Sequence, residues 1–104
     1  MTLKPVVPRE QAKRDAEQAV DYYANEAGKH VALRFIDALE NAYRAIAAHP
    51  ATGSPRYAFE LNLPGLRTWP IKRFPYLIFY VELGQYVDVW RILHAQRHIP
   101  AWMR

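Results

Sequence analysis

Hydrophobic positions along the chain change period near its middle. Ala12, Ala16, Ala19, Val20, Tyr23 and Ala27 recur every three to four residues, which predicts an amphipathic helix over about 9–26. Pro8 suits the first turn of that helix, where its missing N–H costs nothing. Gly28 breaks the pattern, and a second stripe follows through Ala32, Phe35, Ile36, Leu39, Tyr43 and Ile46 until His49-Pro50 stops it. Two helices joined by so few residues run antiparallel, so a helical hairpin is expected over about 9–48.

After "PATGSPR", a loop dense in turn residues, the period falls to two. "LRTWPI", "YLIFYVEL" and "YVDVWRIL" are aromatic and β-branched, and Gly84-Gln85 offers the last two a tight turn. In the middle segment Leu77, Phe79, Val81 and Leu83 line one face and Tyr76, Ile78 and Tyr80 the other. Neither face is polar, which predicts a central strand. Pro70 limits the ladder of "LRTWPI", and Pro5 restricts "LKPVV" to a sheet edge. The expected fold class is α+β in the order β-α-α-β-β-β. A helical hairpin packs on a small, mostly antiparallel sheet over about 66–94, within one domain spanning 1–104 that ends in a short tail.

Composition narrows the chemistry. No cysteine is present among the 104 residues, which excludes disulfides and thiolate-bound zinc. No stretch approaches the ~20 apolar residues of a membrane span, and a soluble cytoplasmic protein is expected. Residues 1–53 hold seven Lys/Arg and seven Asp/Glu, whereas residues 54–104 hold seven Lys/Arg against Glu60, Glu82 and Asp88. The net charge of +4 therefore belongs to the second half. It favours an acidic partner, nucleic acid or protein, unless it is only a solvated basic surface.

Catalytic signatures are sparse. With four glycines there is no nucleotide-binding loop, no HExxH is present, and Ser54, the only serine, stands beside Pro55 without a histidine near it in sequence. No cofactor is expected. His94 and His98 have a spacing that binds metal on a helix, but they fall at a strand end without a nearby carboxylate, so no metal site is expected. The reaction that remains open is metal-free RNA cleavage, which needs a base, an acid and cations for the phosphorane charge. His94 is the candidate acid or base, and Arg91 and Lys72 are candidate cations with Arg67, Arg73 and Arg97. Tyr76, Tyr80 and Trp90 are either stacking platforms or core. The competing reading makes His94 a hydrogen-bonded strand cap. It also makes Arg67 and Arg91 partly structural, with one of them pairing with Glu60 or Asp88.

Three stretches carry a resemblance: "NLPGLRTWPIKRFPYLIFY", "VDVWRILHAQR" and, upstream, "ALENAYRAIAAHPATGSPR". Together with the element order they resemble the RelE/ParE superfamily of bacterial type II toxins. RelE-like members are ribosome-dependent nucleases. Their arginine after the first tyrosine of the aromatic strand falls on Leu77, and lysines of their preceding strand fall near Thr68 and Pro70, leaving Lys72. The ending Leu93-His94-Ala95-Gln96-Arg97 is the ParE-like form, except that His98 stands where an acid is frequent.

The ParE-like resemblance implies inhibition of DNA gyrase by binding, a role in plasmid stabilisation, and neutralisation by a ribbon-helix-helix antitoxin in a hetero-oligomer. The acidic or amphipathic tail of that antitoxin would lay an apolar face on the helical hairpin. It implies no sequence-specific DNA binding by this chain alone. Arg67, Lys72, Arg73, Arg91, His94, Arg97 and Trp102 are then candidates for contact with target or antitoxin. Trp102 and Met103 either fold back on the sheet or stand exposed for the target. A non-toxic regulatory member of the superfamily is the third reading.

Overall fold

The computed structural model describes residues 3–96 and Ile99. The chain runs through β1 (Val6–Pro8), α1 (Glu10–Ala27), α2 (Lys29–Ala48), a 3-10 turn (Pro50–Thr52), α3 (Arg56–Leu61), β2 (Leu66–Pro70), β3 (Tyr76–Glu82) and β4 (Val87–His94). The sheet order is β1-β4-β3-β2, with β1 parallel to β4 and the other pairs antiparallel. Both prolines of the sheet sit where a missing N–H is tolerated: Pro8 on edge strand β1, Pro70 at the end of edge strand β2. Pro8 is thus a strand residue paired with Val89 rather than part of α1, because the backbone N–H of Arg9 continues the ladder to Val89 O at 2.9 Å.

Gly28 separates the two long helices alone. Its φ of +93° is a conformation that side-chain-bearing residues rarely adopt, so the chain reverses within one residue. The stripes read from the sequence then face the sheet. Ala12, Ala19, Phe35, Ala42 and Ile46 pack with Ile78, Tyr80, Val87, Val89 and Ile92. At one end Tyr23, Phe35, Phe74 and Tyr76 close the layer as a mostly edge-to-face aromatic cluster, centroids 5.1–6.2 Å apart.

Alternation along β3 sends Phe79, with Leu77 and Val81 beside it, to the opposite face, where Leu66, Leu93, Tyr57 and Ile99 meet them. β3 is therefore covered on both sides, as its apolar faces predict. Part of that cover is α3, which the sequence pattern does not reveal: six residues give too few turns for periodicity. Its ends are set by local chemistry, the Arg56 N–H donating to Ser54 Oγ and Asn62 closing the helix at φ +53°.

The segment before α3 is clamped to the sheet. The hydroxyl of buried Tyr80 donates to Pro50 O at 2.7 Å, and Ser54 and Thr68 exchange two backbone hydrogen bonds. Gly53 lies so close that a Cβ there would stand 2.1 Å from the Tyr80 oxygen, so only glycine fits. Between β3 and β4, Leu83 N–H closes on Tyr86 O around Gly84 and Gln85.

Burial pushes the Tyr43 hydroxyl, within the α2 layer, up to about 12, and raises Tyr23 and Tyr80 as well. The unfolded chain releases these protons first, near pH 10.0, so it binds fewer protons than the native state above that pH. Stability is therefore intact below about pH 10 and falls as pH rises toward about 12. Replacing Tyr43 by Phe should make the decline of urea midpoint over that window shallower without abolishing it, since Tyr23 and Tyr80 still contribute.

Candidate functional site

The C-terminal strand carries Arg91 and His94, with Trp90 beside them, and a bulge sets their positions. Phe79 pairs with Arg91 and Tyr80 with Val89, so Trp90 is an extra residue in β4. Beyond the bulge the guanidinium of Arg91 meets Asp15 on α1 in a two-pronged contact, Nε to Oδ2 at 2.8 Å and Nη2 to Oδ1 at 3.0 Å. The same carboxylate accepts the backbone N–H of Ile92 at 3.0 Å and the Gln11 amide at 3.2 Å. Asp15 is only 6% exposed. A buried carboxylate at such a site is stable only if its lone pairs are filled by donors and its charge is matched.

The expected pairing of Arg67 or Arg91 with Glu60 or Asp88 does not form. Asp88 is held by Arg9 (Nη2 to Oδ2, 2.7 Å), accepts the Trp90 indole N–H at 3.0 Å, and that arginine lies 4.9 Å over the indole ring. The hydrogen bonds to Asp88, outweighing the cost of burial, hold the Arg9 guanidinium protonated beyond its ordinary range. Glu60 pairs with Arg56 one helical turn away, and Arg67 donates instead to Gly53 O at 2.7 Å. The physical reason is placement: Arg9 leaves the end of β1 beside Asp88, while Arg67 points to the clamped loop.

His94 ends β4 opposite Tyr76, with ring centroids 5.2 Å apart, and its Nδ1 accepts the Gln96 backbone N–H at 3.1 Å. It is a strand cap as well as a surface residue. His94 and Arg91 line one cleft of about 660 Å³ together with Tyr22, Tyr76 and Asp15. Lys72 is not brought to them. With Arg73 it lies in the β2–β3 turn, where both line a second groove, about 640 Å³, against α2. That groove has an apolar floor of Ala38, Ala42, Trp69 and Phe74, and Arg34 joins the two turn cations on its rim, with Asp37 as its acid. Arg34, Lys72 and Arg73 are exposed and make no ion pair among the described residues.

Arg97, Trp102 and the neighbouring His98 and Met103 lie outside the described residues. Among the described residues no three His, Cys, Asp or Glu side chains group as metal ligands, and no helix is long and apolar enough to cross a membrane. Two residues central to this arrangement escaped the reading of the sequence. Asp15 interrupts the apolar stripe between Ala12 and Ala19, and an acid on a buried face demands a cation; that signal was present. Arg9 carried none, since its partner is 79 residues away.

These elements define a class: a helical hairpin laid on one face of a mixed four-stranded sheet, α+β, in the manner of ParE-like proteins. The chain belongs to the family described as ParE toxin of type II toxin–antitoxin system, parDE, whose pattern matches residues 6–99. Its fold is also that of a chain in the chromosomal ParDE toxin–antitoxin system from P. aeruginosa. That likeness has a TM-score of 0.75 at 20% identity, covering 90% of this chain and 98% of the other. No curated protein matches the sequence.

Asp15→Ala leaves Arg91 without its carboxylate and the Ile92 N–H without its acceptor. Urea unfolding should show a loss of about 3–5 kcal/mol, the cost typical of removing one member of a buried pair. Glu60→Ala, which removes only an exposed helical pair, should cost under about 0.5 kcal/mol.

Proposed function

We propose that this chain is a toxin that acts by binding, with DNA gyrase as target, and that a cognate antitoxin of ribbon-helix-helix type neutralises it. The family match across residues 6–99 carries this reading. The geometry of the strand end supports binding over RNA cleavage. A nuclease needs cations free to meet developing phosphorane charge, whereas the Arg91 guanidinium already grips Asp15, Arg67 is spent on Gly53 O, and Lys72 lines a different groove. Leu77 stands where the nuclease branch has an arginine.

The α2 groove supports the second half of the proposal. Its apolar floor and cationic rim suit an amphipathic helix with acidic flanks, the chemistry expected of an antitoxin tail. Apolar contacts on Trp69 and Phe74 would supply most of the affinity, and Arg34, Lys72 and Arg73 would speed and select the encounter. The RelE-like alternative rests on one feature, the cleft that Arg91 and His94 share with Tyr22 and Tyr76.

The test is gyrase supercoiling with chain freed of its antitoxin and verified as folded by circular dichroism. Inhibition with accumulation of linear, protein-linked DNA is the expected result. Messenger cleavage in translating ribosomes, with gyrase unaffected, would overturn it. On the binding reading, single substitutions at exposed positions reduce inhibition in graded steps rather than by orders of magnitude.

A further inference from the structure

The backbone N–H of Phe74 donates to Ile71 O at 3.1 Å, so residues 71–74 close a β-turn at the lip of the α2 groove. Arg73, the third residue of that turn, has a φ of +74°, while Lys72 before it lies outside the positive range. Such a turn favours glycine at its third position, because a side chain there crowds the backbone. The turn has little room to relax. Ile71 N–H donates to Tyr76 O at 3.0 Å, and Tyr76 N–H to Phe74 O at 2.8 Å. Ile71 is buried, and the Phe74 ring lies 5.1 Å from that of Tyr23 and 5.2 Å from that of Phe35. The side chain of Arg73 gives the fold nothing in return. It is exposed, and among the described residues it makes no ion pair and no side-chain hydrogen bond.

We propose that Arg73 is the anchoring cation of this groove: its strained, rigid turn presents the guanidinium to a carboxylate of an acidic partner segment, whose apolar side chains lie on Trp69 and Phe74. The proposal rests on the groove taking an acidic amphipathic segment, and it names the residue that holds that segment in register. Two features decide the chemistry of the occupant. The floor of Ala38, Ala42, Trp69 and Phe74 suits apolar side chains and offers nothing to a phosphodiester backbone. On the rim three exposed cations stand against the single acid Asp37, so the net charge draws an anion. A guanidinium grips a carboxylate through two parallel hydrogen bonds, which fixes position as well as charge. Carried on a turn that is already fixed, it loses less freedom on binding. Arg34 and Lys72 stand on ordinary backbone and act as rim charges during the encounter. Arg73 instead governs how long the complex lasts.

Binding kinetics of the purified full chain test it. The probe is a synthetic amphipathic peptide with leucines along one helical face and glutamates beside them, and a version with glutamine for glutamate is the control. Arg73→Gly should raise the dissociation rate of the glutamate peptide about tenfold, the loss of one charge-assisted contact. Arg73→Lys should do much the same, since it keeps the charge but not the fork. Lys72→Ala should slow association and leave dissociation near that of the parent. In urea, Arg73→Gly should unfold at a higher midpoint than Arg73→Ala, the reverse of the order at an ordinary φ. Equal dissociation rates from the parent and Arg73→Gly would overturn the assignment of Arg73 while leaving the groove reading in place, as would a glutamine peptide held as long as the glutamate one. An Arg73→Gly midpoint below that of Arg73→Ala removes the strain on which the proposal stands. A chain that binds neither peptide, or that takes a short DNA duplex in the groove instead, overturns the groove reading with it.

Discussion

The Asp15 carboxylate, buried on α1, receives Arg91 in a two-pronged contact and the backbone of β4 in a third. Strand β4 pairs with both β1 and β3, so whatever fixes α1 to β4 fixes the helical layer to the middle of the sheet. Apolar packing between a helix and a sheet is strong but tolerant of sliding. A charged site with four donors around one carboxylate is not, because any shift strands an unsatisfied group in low dielectric. The Trp90 bulge belongs to the same device, since it inserts the residue before Arg91 and so sets where that arginine stands. Arg91, a candidate for catalysis or binding in the sequence, thus also joins the two layers.

A division of labour among the cations follows. Arg9, Arg67 and Arg91 are bound to Asp88, a loop carbonyl and Asp15, and they stabilise the fold where they stand. Arg34, Lys72 and Arg73 are exposed around an apolar groove, where the proposed function has them meet an acidic partner. Part of the basic excess of the second half of the chain, Arg67 and Arg91, is accordingly engaged within the fold.

The long elements were legible in the sequence because each buries a continuous stripe. Phe35 and Ile46 mark the inner face of α2, and the alternation from Leu77 to Val81 marks a strand covered on both sides. Short elements were not legible: α3 buries Tyr57, with Ala58 and Leu61 in part, too few for a periodic stripe, and Pro8 fits a helix start as well as a strand end until the β4 ladder is seen. The candidate site was half readable. Residue types at 91 and 94 drew attention to the strand end, and the structure brings those two together. Which acid meets which base is decided by tertiary placement across more than seventy residues, beyond the reach of local pattern. Asp15 lay in plain view on an apolar stripe and would have been found by asking what neutralises it.

The central claim is that Arg91 and Asp15 are joined for the sake of the fold and not for chemistry or target contact. Replacing both at once by leucine tests it most directly, because an apolar pair of similar volume can substitute for a buried ion pair where a single removal cannot. The account predicts that the Asp15→Leu/Arg91→Leu chain folds, loses less stability than Asp15→Ala because no unpaired charge is left beside the Ile92 N–H, and inhibits gyrase as the parent does. A folded double variant that has lost its inhibitory action, alongside an active parent, would contradict the account and assign Arg91 to the work of the toxin itself.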